Sequence, residues 1–252
     1  MKIGILEAGL VRTELADRFD PYPVMFAQLL GLAERDLEFA AYSWVRGQVP
    51  DSIDECDGWL ISGSRHGVYD HLDWMAPLQD FIRQVAEAHL PLIGICFGHQ
   101  IVAAALGGEV VKSDRGWGVG VNSYHVDKRY AWMQQQVPES VAMYAFHQDQ
   151  VVTLPAAAEV FLSSDFCPFA GLSYGDSIIS VQAHPEFEAA YEQALLEMFG
   201  GNLIPADVAQ QALAAMEAGA QADTRLLADW FAEFFLSHAS RRQAPALESA
   251  QR

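Results

Sequence analysis

The sequence predicts an α/β protein: a doubly wound, mostly parallel sheet flanked by helices, with a smaller antiparallel extension. Short apolar runs at 2–6, 37–42, 58–62 and 91–95 alternate with segments of helical period at 23–34, 74–88 and 97–106, the order of βαβ units. Strand-like stretches at 118–126, 141–146, 159–163, 169–173 and 178–183 then follow one another across Gly, Pro, Asp and Ser, which predicts antiparallel pairing. Helical period returns at 188–199, 205–218 and 223–238.

The last of these segments carries Leu226, Leu227, Trp230, Phe231, Phe234 and Phe235 at i, i+3, i+4 spacing, a stripe expected to cover the sheet. A helix lying on a membrane surface is the competing reading, and mostly acidic flanking charges disfavour it. The expected organisation is one domain over 1–200, a helical extension over 201–238 packed on it, and a polar, disordered tail over 239–252.

Composition narrows the function. Against 33 Asp and Glu stand 15 Lys and Arg, and the formal charge of −18 repels phosphate backbones and anionic lipid, so neither nucleic acid nor membrane is an expected partner. Three cysteines, Cys56, Cys96 and Cys167, are too few for a disulfide framework or a four-ligand zinc site, and neither metal nor cofactor is expected. With no signal-peptide pattern and no apolar run long enough for a membrane span, the chain reads as cytoplasmic.

The most informative segment is Gly94-Ile95-Cys96-Phe97-Gly98-His99-Gln100. An apolar strand ends at Cys96 and a helix begins at once, with glycines at i−2 and i+2, the cysteine form of a nucleophile elbow. Such a turn strains its central residue and leaves no room for side chains on either side. It presents the sulfur at the carboxyl end of a parallel strand and at a helix N-terminus, which favours negative charge. Cys56 and Cys167 lack this context and read as small buried hydrophobes.

A thiolate nucleophile needs a base, and the base a group that fixes its tautomer. Ser180-Val181-Gln182-Ala183-His184-Pro185-Glu186-Phe187 offers both, since a strand leads to His184, Pro185 ends its ladder, and Glu186 can turn back to the imidazole. Alone, His-Pro-Glu fits a helix start equally well; its pairing with the elbow favours a Cys96, His184, Glu186 triad.

The elbow and the later Ala-His-Pro-Glu-Phe, 88 residues apart from Cys96 to His184, resemble the class I glutamine amidotransferases, whose fold is flavodoxin-like. Leu60-Ile61-Ser62-Gly63-Ser64 with Val68-Tyr69-Asp70, Gly116-Trp117-Gly118-Val119-Gly120, and Phe146-His147-Gln148-Asp149-Gln150-Val151 are similar to the branch that includes the amidotransferase domain of GMP synthase and the stand-alone γ-glutamyl peptidases. The resemblance spans about residues 2–200. It implies attack by Cys96 on a γ-glutamyl amide, an oxyanion hole from the Ser64 and Phe97 amides, and Gly63, Gln100 and His147 near the glutamyl group. Gln100 as a helix cap and His147 as a packed polar residue remain open. Ser64 replaces a usual glycine, and Phe146-His147-Gln148 a usual Ser-His-Gly run, which puts plain glutamine in question as substrate.

Three functions follow. The first is a subunit that hydrolyses glutamine and passes ammonia to a separate synthetase; the chain's Ser62-Gly63-Ser64-Arg65-His66-Gly67 is no phosphate-binding loop. The second is a self-sufficient γ-glutamyl hydrolase, and the third a binding or regulatory protein that keeps the fold without the chemistry, against which the complete triad stands.

Overall fold

The computed structural model of the chain describes residues 1–133 and 137–243, with side chains as far as His238. Strands β1 (Lys2–Leu6), β2 (Glu38–Tyr42), β3 (Gly58–Ile61) and β4 (Leu92–Ile95) alternate with helices α1 (Tyr22–Gly31), α2 (Met75–Glu87) and α3 (Phe97–Ala105). Strands β5 (Glu109–Lys112), β6 (Gly118–Val126), β7 (Ser140–His147), β8 (Asp149–Thr153), β9 (Ala158–Ser163), β10 (Gly171–Tyr174) and β11 (Ile178–Val181) follow, then helices α4 (Ala189–Phe199), α5 (Ala206–Glu217) and α6 (Thr224–Gln243). Nine strands form one mostly parallel sheet with an antiparallel part, in the order β2-β1-β3-β4-β11-β10-β9-β6-β7. β2, β1, β3, β4 and β11 are parallel neighbours, and β10, β9, β6 and β7 continue antiparallel.

Two features differ from the sequence reading. The stretch 178–183, expected in the antiparallel part, supplies β11, which runs parallel to β4 with Val181 opposite Ile95 and is antiparallel only to β10. A run of buried residues in one strand carries no information about its neighbours' direction. Strands β5 and β8, not expected, pair antiparallel with each other beside the main sheet; Glu-Val-Val-Lys is too short, and too polar at its ends, to show an alternation.

Side chains alternate between the faces of the parallel strands. Ile3, Ile5, Leu60, Ile93 and Ile95 pack with Phe26, Leu29 and Leu30 of α1 and with Leu227, Trp230, Phe231, Phe234 and Phe235 of α6. Leu6, Trp59, Ile61 and Leu92 pack with Leu78, Ile82 and Val85 of α2 and Phe97, Ile101 and Val102 of α3. The two helices beyond residue 200 go to different places. While α6 joins α1, α5 crosses β6, where Gly120 (φ +72°) comes so near that an added Cβ would lie 2.8 Å from the Ala212 Cβ. The backbone of α6 stays helical to Gln243, past the boundary expected at 238; the rest of the tail reading, 244–252, lies outside the described residues. No helix among the described residues is long and apolar enough to cross a membrane.

Trp230 is 1% exposed and joins both α6 and the aromatic cluster of Trp132 to the sheet. Trp230→Ala is expected to lower the unfolding free energy by about 3–5 kcal/mol in a urea titration; a loss under about 1 kcal/mol would show that α6 lies outside the cooperative core.

Candidate active site

Strand β4 ends at Ile95, α3 opens at Phe97, and Cys96 between them has φ 52° and ψ −103°, a region that favours glycine. Close packing enforces it. A Cβ at Gly94 would lie 2.6 Å from the Gly98 carbonyl oxygen, and one at Gly98 would collide with the carbonyl oxygen of Ile61 at the end of β3. The Cys96 N–H donates to the Val181 carbonyl of β11 at 2.9 Å. The sulfur is thereby fixed at the carboxyl edge of the sheet.

From β11 onward, Ser180, Gln182 and His184 are two residues apart, the spacing that places side chains on one face of an extended chain. Ser180 hydrogen-bonds His99 Nδ1 of α3 at 2.8 Å. Gln182, fully buried, donates to the Cys96 sulfur at 3.8 Å and accepts from Gln100 Nε2 at 3.1 Å. His184 lines the same cavity as Cys96 and donates from Nδ1 to Glu186 Oε1 at 2.7 Å, which leaves Nε2 for the sulfur side. Its backbone N–H donates to the Tyr144 carbonyl of β7 at 2.7 Å, its ring stacks on Phe187 with centroids 3.9 Å apart, and a Cβ at Gly63 would lie 2.9 Å from Cε1. Burial disfavours the imidazolium, but the negative charges of the Cys96 sulfur and Glu186 outweigh it and hold His184 well above its ordinary pKa.

A cavity of about 430 Å³ opens over this centre, lined by Cys96, His184, Ser64, Gln100 and His147 among others. Glu186 sits behind His184, and Gly63 packs beneath the imidazole. Gln100 stands in the first turn of α3, and its Nε2 donates to Gln182 Oε1 and to the Asp149 carbonyl at 3.0 Å. His147 Nδ1 donates to the Asp149 carbonyl at 3.1 Å; burial lowers its pKa to about 4, so it is neutral at pH 7, with Nε2 an acceptor that has no partner among the described residues. His99, despite its place in the elbow motif, is buried between α3 and β11, and burial lowers its pKa to about 3. Burial raises the thiols of Cys56 and Cys167, the latter to about 12, so neither is a reactive thiolate. Among the described residues no three His, Cys, Asp or Glu side chains converge so as to hold a metal ion.

Three features of the site went unread in the sequence. Gln182 could have been found from the strand period, being two residues before His184. The Tyr69 hydroxyl donates to both carboxylate oxygens of Asp149 at 2.9 Å on the cavity wall, and burial raises that carboxyl above its ordinary pKa. An aromatic flank of Trp117, Phe146 and Phe199, with Arg12 over it, has no local signature. A wider and more open depression of about 870 Å³, lined by Ser123, His125, Asp127 and Ser163 among others, does not include Cys96 or His184.

A family match covers residues 29–215, and the chain belongs to the class I glutamine amidotransferases. Among its relatives are γ-glutamyl peptidase 5 of Arabidopsis thaliana, 32% identical over 183 residues (69% of this chain and 72% of that protein), and γ-glutamyl peptidase 3 of the same plant, 34% identical over 150 residues (57% and 60%). GMP synthase [glutamine-hydrolyzing] of Listeria monocytogenes is 32% identical over 149 residues, 58% of this chain and 27% of the synthase. A glutamine amidotransferase of Thermotoga maritima shares the fold with a TM-score of 0.70 at 17% identity, covering 93% of this chain and 97% of the other.

Behind the site Glu192 of α4 is fully buried; its Oε1 accepts the Gly120 N–H at 2.7 Å, Oε2 has no partner among the described residues, and burial raises its pKa to about 8. The folded chain keeps this proton up to about pH 8, whereas the unfolded chain releases it near the ordinary value of 4.5, so rising pH across that window favours unfolding. Glu192→Gln removes the titration. The variant is expected to gain stability relative to the native chain by roughly 3 kcal/mol between pH 5 and pH 8, read from urea unfolding at several pH values; a constant difference would contradict a protonated Glu192.

Proposed function

We propose that the chain is a cysteine amidohydrolase that cleaves γ-glutamyl amide bonds, with Cys96 as nucleophile, His184 as its proton carrier and Glu186 as the group that orients His184. The observation that carries this reading is that His184 shares one cavity with Cys96 at the carboxyl edge of the sheet while its Nδ1 is held from behind by Glu186.

The Cys96 sulfur attacks the γ-carbonyl carbon, forming a C–S bond and placing the negative charge on the carbonyl oxygen. The amides of Ser64 and Phe97 are the proposed donors to that oxyanion, each worth about 3 kcal/mol. Phe97 is the first residue of α3, so its N–H has no intrahelical acceptor. The Ser64 hydroxyl oxygen accepts the His66 N–H within its own turn at 3.3 Å, so the replacement of glycine there leaves the Ser64 amide available. His184 then gives its Nε2 proton to the departing nitrogen as the C–N bond breaks, and a glutamyl thioester remains on Cys96. Water attacks the thioester, His184 takes its proton, and glutamate leaves with the sulfur restored as thiolate. Gln182, donating to the sulfur, acts as a positioning residue.

Free-standing hydrolysis is favoured by the kinship with γ-glutamyl peptidases and by a cavity that continues past His184. The kinship with GMP synthase favours a second reading, in which glutamine is the substrate and ammonia passes to a separate synthetase subunit.

Cys96→Ala is expected to lower glutamate release from γ-glutamyl compounds by about four orders of magnitude without unfolding the chain, and substantial residual turnover would refute the assignment. Glu186→Gln removes one of the charges that hold the proton on His184, so its effect is milder and the alkaline limb of the kcat/KM profile moves to lower pH. Assay of the purified chain on glutamine and on γ-glutamyl peptides separates the two readings, because activity on glutamine that appears only with added synthetase supports the second.

A further inference from the structure

The two flanks of the cavity differ in chemistry. On one lie Ser64, Tyr69, Lys112 and Asp149, all polar. On the other are the rings of Trp117, Phe146 and Phe199, with centroids 5.6 Å apart for the first pair and 5.9 Å for the second, and at the mouth Leu10 and Leu203, 43% and 45% exposed. The Arg12 guanidinium stands over the Phe199 ring at 4.9 Å and makes no ion pair among the described residues, although the chain carries more than two acids for every base. An apolar concave surface left open to water, with an arginine at its edge that has no ion pair among the described residues, is the composition of a ligand subsite.

Resting on the catalytic reading above, we propose that the group expelled from the γ-glutamyl substrate is an amino acid or short peptide with a large apolar or aromatic side chain, its carboxylate bound by Arg12 and its side chain laid against Trp117, Phe146 and Phe199. The proton delivered by His184 goes to the departing nitrogen, so the expelled group occupies the His184 side of Cys96. The aromatic flank belongs to that side: Phe146 is on β7, whose Tyr144 carbonyl holds the His184 backbone, and Phe199 ends α4, which begins shortly after Glu186. Ammonia would leave this flank without a partner, and a polyamine would bring a second cation to Arg12. A carboxylate fits the planar fork of an arginine, and an apolar side chain covers the rings.

The test compares kcat/KM for γ-glutamyl-phenylalanine, γ-glutamyl-leucine, γ-glutamyl-glycine, glutamine and γ-glutamylphenethylamide, which is γ-glutamyl-phenylalanine without its carboxylate. The phenylalanine and leucine substrates are expected to exceed γ-glutamyl-glycine and glutamine by about 30-fold or more. The phenethylamide is expected to fall about tenfold below γ-glutamyl-phenylalanine, and Arg12→Ala to erase that ratio. Phe199→Ala, or Phe199→Leu should the first fail to fold, is expected to narrow the preference for phenylalanine over glycine. Preference for glutamine or glycine, or a carboxylate effect unchanged in Arg12→Ala, would overturn the subsite. Cys96-dependent turnover with a flat profile would sink the subsite alone, whereas absence of Cys96-dependent release from every compound would remove the catalytic reading and the subsite with it.

Discussion

The site depends first on the backbone of one residue. With φ 52° and ψ −103°, Cys96 occupies a region that costs a side-chain-bearing residue roughly 1–3 kcal/mol, and such strain persists only where the surroundings over-determine it. Here both neighbouring strands do so. β11 accepts the Cys96 N–H through Val181, and β3 brings the Ile61 carbonyl against Gly98, whose own carbonyl presses on Gly94 of β4. Strand, turn and helix are locked at the one point where the chain passes from sheet to helix. The sulfur therefore stands at the sheet edge, with the first amide of α3 beside it, before any substrate arrives.

The same strand that clamps the turn also supplies what faces it. Three alternate residues, Ser180, Gln182 and His184, engage His99, Gln100 and Cys96 across the gap between β11 and α3. Buried polar groups are costly without partners, and each of these pairings satisfies two at once. Because each pairing is directional, the register of β11 against β4 sets the distance between His184 and the Cys96 sulfur. A slip of one residue would turn Gln182 and His184 to the opposite face. The parallel pairing of Val181 with Ile95 is thus as much a part of the site as the side chains it presents.

Legibility in the sequence followed how local each feature is. The elbow occupies five consecutive residues, with glycines at its two ends required by sterics, and could be read without a partner strand; His184 and Glu186, two residues apart, could be paired by inspection. The alternation of apolar runs and helical segments placed the first half of the sheet for the same reason. What could not be read is built from distant pieces: the direction of β11 relative to β10 and β4, the short ladder of β5 with β8, and an aromatic flank drawn from positions 12, 117, 146 and 199. His147 and Gln100 form an intermediate case. Their positions were visible, but that His147 is neutral and Gln100 engaged by Gln182 and Asp149 depends on burial, which no local pattern encodes.

The charge of the chain bears on how a substrate reaches this site. A γ-glutamyl compound carries carboxylates, and a formal charge of −18 repels it at long range. Around the cavity the balance is different, since Arg12, Arg65 and Lys112 stand there against Asp70 and Asp149, and Asp149 is shared with Tyr69. Screening confines such fields to about 8 Å at physiological salt. The rim therefore acts only on a molecule already at the mouth, and selection rests on contact rather than on steering. That suits the proposed subsite, whose discriminating groups, an arginine and a set of rings, act at contact distance.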